Sequence, residues 1–218
     1  MLIQILNWSE VWAPLIPLLV FILKAPKNKH LDLIAAYLFT AFCINAIIDV
    51  SWQYQKYMPA FLFYNAFLYN INSFCRIIFF VLFFSLLANL PSKKTAIFFL
   101  ILYLIIFVVY FIINKNFNTL NSPLHSTESL ILLLLSIVYL IRLIQSDEIY
   151  LSFDPYLLII SGLAVYESVN FFVFLFYDYL AEKDRMFDHY LWNVHNIIFI
   201  IFCVLIARAF LGGPKTIT

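Results

Sequence analysis

Charge is what this chain has least of. Asp, Glu, Lys and Arg make up 11% of its 218 residues, hydrophobic residues make up 65%, and mean hydropathy is +0.96. A soluble domain so poor in charge exposes large apolar patches and aggregates. Glycine is scarce too: of three, only Gly162 falls inside an apolar stretch, so no GxxxG packing pair exists. The three cysteines, Cys43, Cys75 and Cys203, all sit in apolar stretches. That excludes a disulfide framework or zinc-finger spacing and leaves them as small hydrophobes. A net charge of +1 gives no reason to expect nucleic acid as a partner.

Other absences narrow the chemistry. The last apolar stretch has no lysine, nor does the middle of any other, which excludes a covalent retinal Schiff base. No HxxxH or HExxH pair puts two metal ligands on one helix face. His125, His189 and His195 with Asp49 or Glu128 form the one constellation that a metal-dependent hydrolase could use, and they lack that spacing. Ser161-Gly162 lacks the leading glycine of an intramembrane serine protease. Internal prolines occur only in the first stretch, unlike the paired proline helices of seven-helix sugar transporters. No metal and no cofactor is expected.

What is there is length. A bilayer core takes about 20 apolar residues per helix. Seven stretches reach it: Leu2–Leu23, Leu31–Trp52, Phe61–Leu90, Thr95–Ile113, Glu128–Gln145, Pro155–Tyr177 and Tyr190–Leu211. They are apolar all round and about twice the length of a barrel strand, so helices must satisfy the backbone in lipid. The expected fold is all-α: one polytopic membrane domain over residues 1–218, a bundle of seven transmembrane helices. Connections are about 15 residues or fewer, too short for a soluble catalytic domain between spans.

The N-terminal stretch lacks a basic n-region and a small-x-small cleavage site, and reads as a retained first span. With the N-terminus outside, Lys24, Lys27, Lys29, Lys93, Lys94, Arg142, Arg208 and Lys215 lie on the cytoplasmic side. Lys56, Lys115, Lys183 and Arg185 lie outside. Eight basic residues against four favour N-outside, C-cytoplasmic. Pro26, Pro59, Pro91, Pro123 and Pro155 mark boundaries, one per helix and loop. Asp154-Pro155 reads as a helix start and Gly212-Gly213-Pro214 as a stop. Pro14 and Pro17 fall within the first span and should kink it. Ser161, Gly162, Ala164 and Ser168 offer a neighbour a close approach on the sixth.

An ionisable residue at mid-bilayer costs several kcal/mol and faces the interior with a partner. Arg76, mid-way along the third span, and Glu167, mid-way along the sixth, are expected to interact. Helical spacing puts Asn65, Tyr69, Asn72 and Arg76 on one face, and likewise Asn45, Asp49 and Trp52. Glu167 and Asn170 lie one turn apart. His189, Asn193 and Asn196 share a face of the last span, with Trp192 and His195 beside it. His125 and Glu128 open the fifth. Under the N-outside orientation these residues gather in the outer half, and the inner halves are plain aliphatic and aromatic runs. Interhelical hydrogen-bond glue accounts for any single Asn. Convergence of several stripes points to an outer polar cavity. The candidate ligand-binding or polar-core residues are Asp49, Asn72, Arg76, Glu128, Glu167, Asn170, Trp192, Asn193, His195 and Asn196. Trp8, Trp12 and Trp52 read as interfacial belt.

Four segments carry a resemblance: SEVWAPLIPLLVFILK, NAFLYNINSFCRIIFFVLFFSLL, STESLILLLLSIVYLIRL and LWNVHNIIFIIFCVLIARAF. The chain resembles an uncharacterised group of short seven-helix membrane proteins from Bacteroidota. The pattern is an early acid followed by proline, and a W-x-x-H-N stretch in the last helix. It falls on Glu10, Pro14 or Pro17, Trp192, His195 and Asn196. The group's usual acid in the third helix gives way here to Cys75-Arg76. The resemblance implies a multi-pass bacterial inner-membrane protein, associated with signalling proteins such as sensor kinases.

Three functions then stand open. The first is a receptor-like module that binds a small molecule in the outer cavity and signals through a protein partner. The second is a small-solute or proton-linked transporter using Glu167, Asp49 and Glu128 as a relay. The third is an intramembrane hydrolase with a metal at the outer rim.

Overall fold

The computed structural model describes residues 2–24, 28–57, 66–87, 93–114, 120–145, 154–183 and 185–212. Among these, nine helices follow one another: α1 (Leu2–Asn7), α2 (Ser9–Trp12), α3 (Leu15–Lys24), α4 (Lys29–Gln53), α5 (Ala66–Leu86), α6 (Lys93–Asn114), α7 (Ser122–Gln145), α8 (Pro155–Lys183) and α9 (Arg185–Gly212). Gln55–Tyr57 adds one 3-10 turn. Six of the helices, α4 to α9, are long and apolar enough to cross a membrane. The chain is therefore a multi-pass helical bundle.

The first apolar stretch differs from the expected single kinked span. It is three short helices, broken at Trp8 and at Ala13-Pro14. Proline has no N–H, so Pro14 cannot donate to the carbonyl of Glu10 one turn back. The Asn45 side-chain amide of α4 donates to that carbonyl instead, at 3.2 Å. Upstream, the Leu6 carbonyl takes a 3.2 Å hydrogen bond from Asn196 Nδ2 of α9, and Ile5 takes one of 2.9 Å from Trp12 Nε1. Three side chains thus replace backbone donors that the breaks removed.

Other boundaries moved outward. The fifth stretch, read as Glu128–Gln145, becomes α7 from Ser122, because its polar first turn faces the interior. The sixth and seventh extend to Lys183 and back to Arg185. Asp154 caps α8 as expected, its Oδ1 accepting from Tyr156 N at 2.9 Å. Asn28 caps α4 in the same way through His30 N, and its amide donates to Tyr156 OH at 2.7 Å. The flanks of the third stretch, Asn65, Pro26, Pro59, Pro91, Lys27, Lys115, Gly213, Pro214 and Lys215 lie outside the described residues.

Helices α3, α4, α5, α7, α8 and α9 close a ring, each packed on the next, and α9 returns to α3. Helix α6 stands outside it, against α5 and α7, with only 11% of its apolar window buried. The close approach expected at Gly162 is real: an added Cβ would lie 3.0 Å from Leu205 and 3.2 Å from Phe202. Cys203 is buried and Cys43 and Cys75 are half-buried, all with free thiols.

The interior is divided end to end. Toward the starts of α4 and α8 and the ends of α5, α7 and α9, it is an aromatic and aliphatic core that includes Tyr37, Phe80, Phe83, Phe84, Phe202 and Phe210. Toward the other end, the buried residues are Glu10, Asn45, Arg76, Glu128, Glu167, Asn170 and His195, with serines between them.

Candidate functional site

Two buried polar groups meet in that second half. The first centres on Arg76 of α5. Its Nε donates to Glu128 Oε1 at 2.5 Å and its Nη2 to Glu128 Oε2 at 2.8 Å, a forked pair between α5 and α7. Nη1 donates to Tyr166 OH of α8 at 2.8 Å, and the guanidinium lies 5.4 Å from that ring's centroid. Ser73, one turn before Arg76, donates to Glu128 Oε2, and its own oxygen pairs with Tyr103 OH of α6 at 3.0 Å. Since the Ser73 proton is committed, Tyr103 is the donor in that bond.

Glu167 was expected to be the partner of Arg76. Its Oε1 lies 3.5 Å from Arg76 Nε, but neither of its oxygens accepts a hydrogen bond, and the residue is fully buried. The geometry ranks the partners differently from the sequence: Glu128 holds the fork, and Glu167 stands beside it.

The second group centres on His195 of α9. Nδ1 faces Asn170 Oδ1 of α8 at 2.8 Å, and Nε2 faces Glu10 Oε1 at 3.0 Å, at the break between α1 and α3. Trp192, Phe174, Tyr166 and Phe199 pack around the imidazole.

Between the groups lies a chamber. Glu10, Asn45, Asn72, Arg76, His125 and His195 supply its polar wall, and Tyr37, Tyr69, Tyr166, Phe174, Trp192 and Phe199 its aromatic wall. It is a narrow cavity of about 20 Å³, with free room for a water-sized particle. Tyr69 and Trp192, edge to face with centroids 5.2 Å apart, line it together with a wider vestibule of about 390 Å³. Asn7, Trp52, Ala66, Tyr177, His189 and Asn193 complete the vestibule at the end of the bundle.

No family model, curated protein or solved structure matches the chain. The site therefore has to be read from its own geometry.

Of the ten residues singled out from sequence, Asn72, Arg76, Trp192 and His195 line the chamber. Glu128 and Asn170 hold its walls from behind. Trp192 and Asn193 line the vestibule. Asn196 anchors the broken first stretch. Asp49 is half-buried and lines neither space, though its Oδ2 is buried without a hydrogen-bond partner. The stripe Asn45, Asp49, Trp52 turns from a buried to an exposed position along α4. Among the described residues, no group of three His, Cys, Asp or Glu is placed to hold a metal ion.

Sequence reasoning passed over Ser73, Tyr103 and Tyr166. Ser73 was legible as the position one turn before Arg76, and Tyr166 as the neighbour of Glu167. Tyr103 lies in an otherwise apolar helix and gave no signal.

Proposed function

We propose that this protein is a receptor-like integral membrane module that takes a small molecule into its polar half and passes the change to a partner protein such as a sensor kinase. In this reading the first three helices together complete a seventh crossing. The N-terminus and vestibule face outward, the C-terminus lies in the cytoplasm, and the membrane is a bacterial inner membrane. The observation that carries the reading is the division of the interior: a vestibule shares the Tyr69 and Trp192 wall with a polar chamber, and beyond the chamber lies an aromatic and aliphatic core. A binding pocket needs an entrance and a floor. A transport path needs a second exit, and among the described residues the packed half is an aromatic and aliphatic core.

One feature favours transport as the second reading. Broken helices with an acid at the break are how many transporters build ion and substrate sites, and Glu10 occupies such a break.

Cysteine accessibility separates the two. In a background lacking the native cysteines, Asn193→Cys at the vestibule should react with a membrane-impermeant thiol reagent added outside, and not with reagent added to the cytoplasmic face. Reaction of Asn193→Cys from the cytoplasmic face would overturn the receptor reading in favour of alternating access.

A further inference from the structure

We infer that the chamber recognises a primary ammonium group, with the ligand's apolar body held in the aromatic vestibule. The inference rests on the receptor reading above and names its ligand class.

The argument begins with amide orientation. The Glu10 carbonyl can only accept, so the Asn45 side chain must present its Nδ2 there. Its Oδ1 then points the other way and accepts from Asn72 Nδ2 at 3.2 Å. That fixes Asn72 in turn, leaving its Oδ1 at the chamber wall, buried and with no donor. His125 repeats the pattern. It is buried and stacked on Phe174 at 4.9 Å, and its Nδ1 is 4.0 Å from Glu128 Oε2. That is too far for a hydrogen bond, so a group that donates to Nε2 would itself set the imidazole proton on Nδ1. Nε2 has no hydrogen-bond partner and its ring lines the chamber.

The unmet groups at the wall are therefore acceptors. The donors at the wall each make at least one hydrogen bond already: Nε, Nη1 and Nη2 of Arg76 and the Asn45 and Asn72 amides. Charge agrees. Glu10, Glu128 and Glu167 are buried around the chamber, and Arg76 is the one fixed cation among them. An anion would meet acceptors and carboxylates, whereas an ammonium brings three donors and a positive charge.

Size and lining select the kind of ammonium. The chamber admits a water-sized group, which suits –NH₃⁺ and excludes a trimethylated head. The vestibule is lined by Trp52, Tyr69, Tyr177 and Trp192, with Asn7, His189 and Asn193 between them and no Asp, Glu, Lys or Arg, a surface for an aromatic body. Aromatic faces near the head add cation–π attraction.

The test uses the full chain in nanodiscs and 2-phenylethylamine as probe, read by thermal unfolding. At millimolar concentration it should raise the midpoint by about 3 °C. 2-Phenylethanol, phenylacetate and phenyltrimethylammonium should not. Asn72→Ala and the isosteric Glu10→Gln should each weaken the response about ten-fold, the loss of one hydrogen bond to a charged group. Asn72 is only half-buried, so its variant remains informative if Glu10→Gln folds poorly. An equal shift from the alcohol, the acid or the quaternary amine overturns the inference, as does an amine shift that survives both substitutions. If the amine has no effect while Asn193→Cys stays reactive from outside only, the ligand class falls and the receptor reading stands. Two-sided reactivity sinks the receptor reading whatever binds.

Discussion

At the scale of single residues, Arg76 sets the chemistry of the interior because it is shared unequally. Glu128 takes two of its hydrogen bonds and Glu167 none. Removing one partner from a buried, forked ion pair leaves an uncompensated charge and typically costs about 3–5 kcal/mol. Glu128→Gln should therefore lower stability by about that much. Glu167→Gln removes a buried charge that accepts no hydrogen bond, so it should leave stability unchanged or raise it. Thermal unfolding of both variants in the same detergent checks the asymmetry, and equal losses would show that Glu167 shares the guanidinium fully. Arg76 and Glu167 were legible because a charge inside an apolar run has to find company. Glu128 was seen but read as a helix start near the rim. Counting apolar residues begins α7 too late, because Ser122 to Thr127 look like a loop until their inward-facing neighbours are in place.

At the scale of elements, the broken first stretch is the least regular part of the fold and the part that reaches the site. Its prolines announced a kink, and period counting could go no further, because the groups that make the breaks tolerable belong to other helices. Asn45 and Asn196 are ordinary polar residues in sequence. In the fold they act as the missing backbone donors for Glu10 and Leu6. This predicts a coupling. Asn45→Leu leaves the Glu10 carbonyl buried and unpaired and should cost about 1–3 kcal/mol. With Pro14→Ala in place, residue 14 regains an N–H that can reach that carbonyl, and the preceding Ala13 is already helical. The cost of Asn45→Leu should then shrink to less than half in a double-mutant cycle. Additive losses would mean that Asn45 acts through something other than this carbonyl. The same substitution should also straighten the segment and draw Glu10 away from His195, so amine binding should weaken along with the cost.

At the scale of the whole molecule, the division between a polar half and an apolar half is the property that sequence foreshadowed best, since helical stripes give both the face and the depth of each polar residue. What it left out was which helices touch. Placing α6 outside the ring depends on packing, and its nearly uniform apolar surface offers no stripe to read. The division also ties orientation to function. If the vestibule faces outward, the exposed Lys56 and Lys183 at that end must lie outside, and Lys94 and Arg142 at the other end must lie in the cytoplasm. Positive charge resists translocation, and the surplus of Lys and Arg at the apolar end favours this arrangement. Single cysteines at these four positions, probed in sealed right-side-out and inverted vesicles, should therefore label in two opposite pairs. Lys56→Cys and Lys183→Cys should react from outside, Lys94→Cys and Arg142→Cys from the cytoplasm. The reverse pattern would turn the same chamber toward the cytoplasm, and its ligand would then have to be an intracellular amine. A split within either pair would mean that the helices do not alternate in direction as the ring requires.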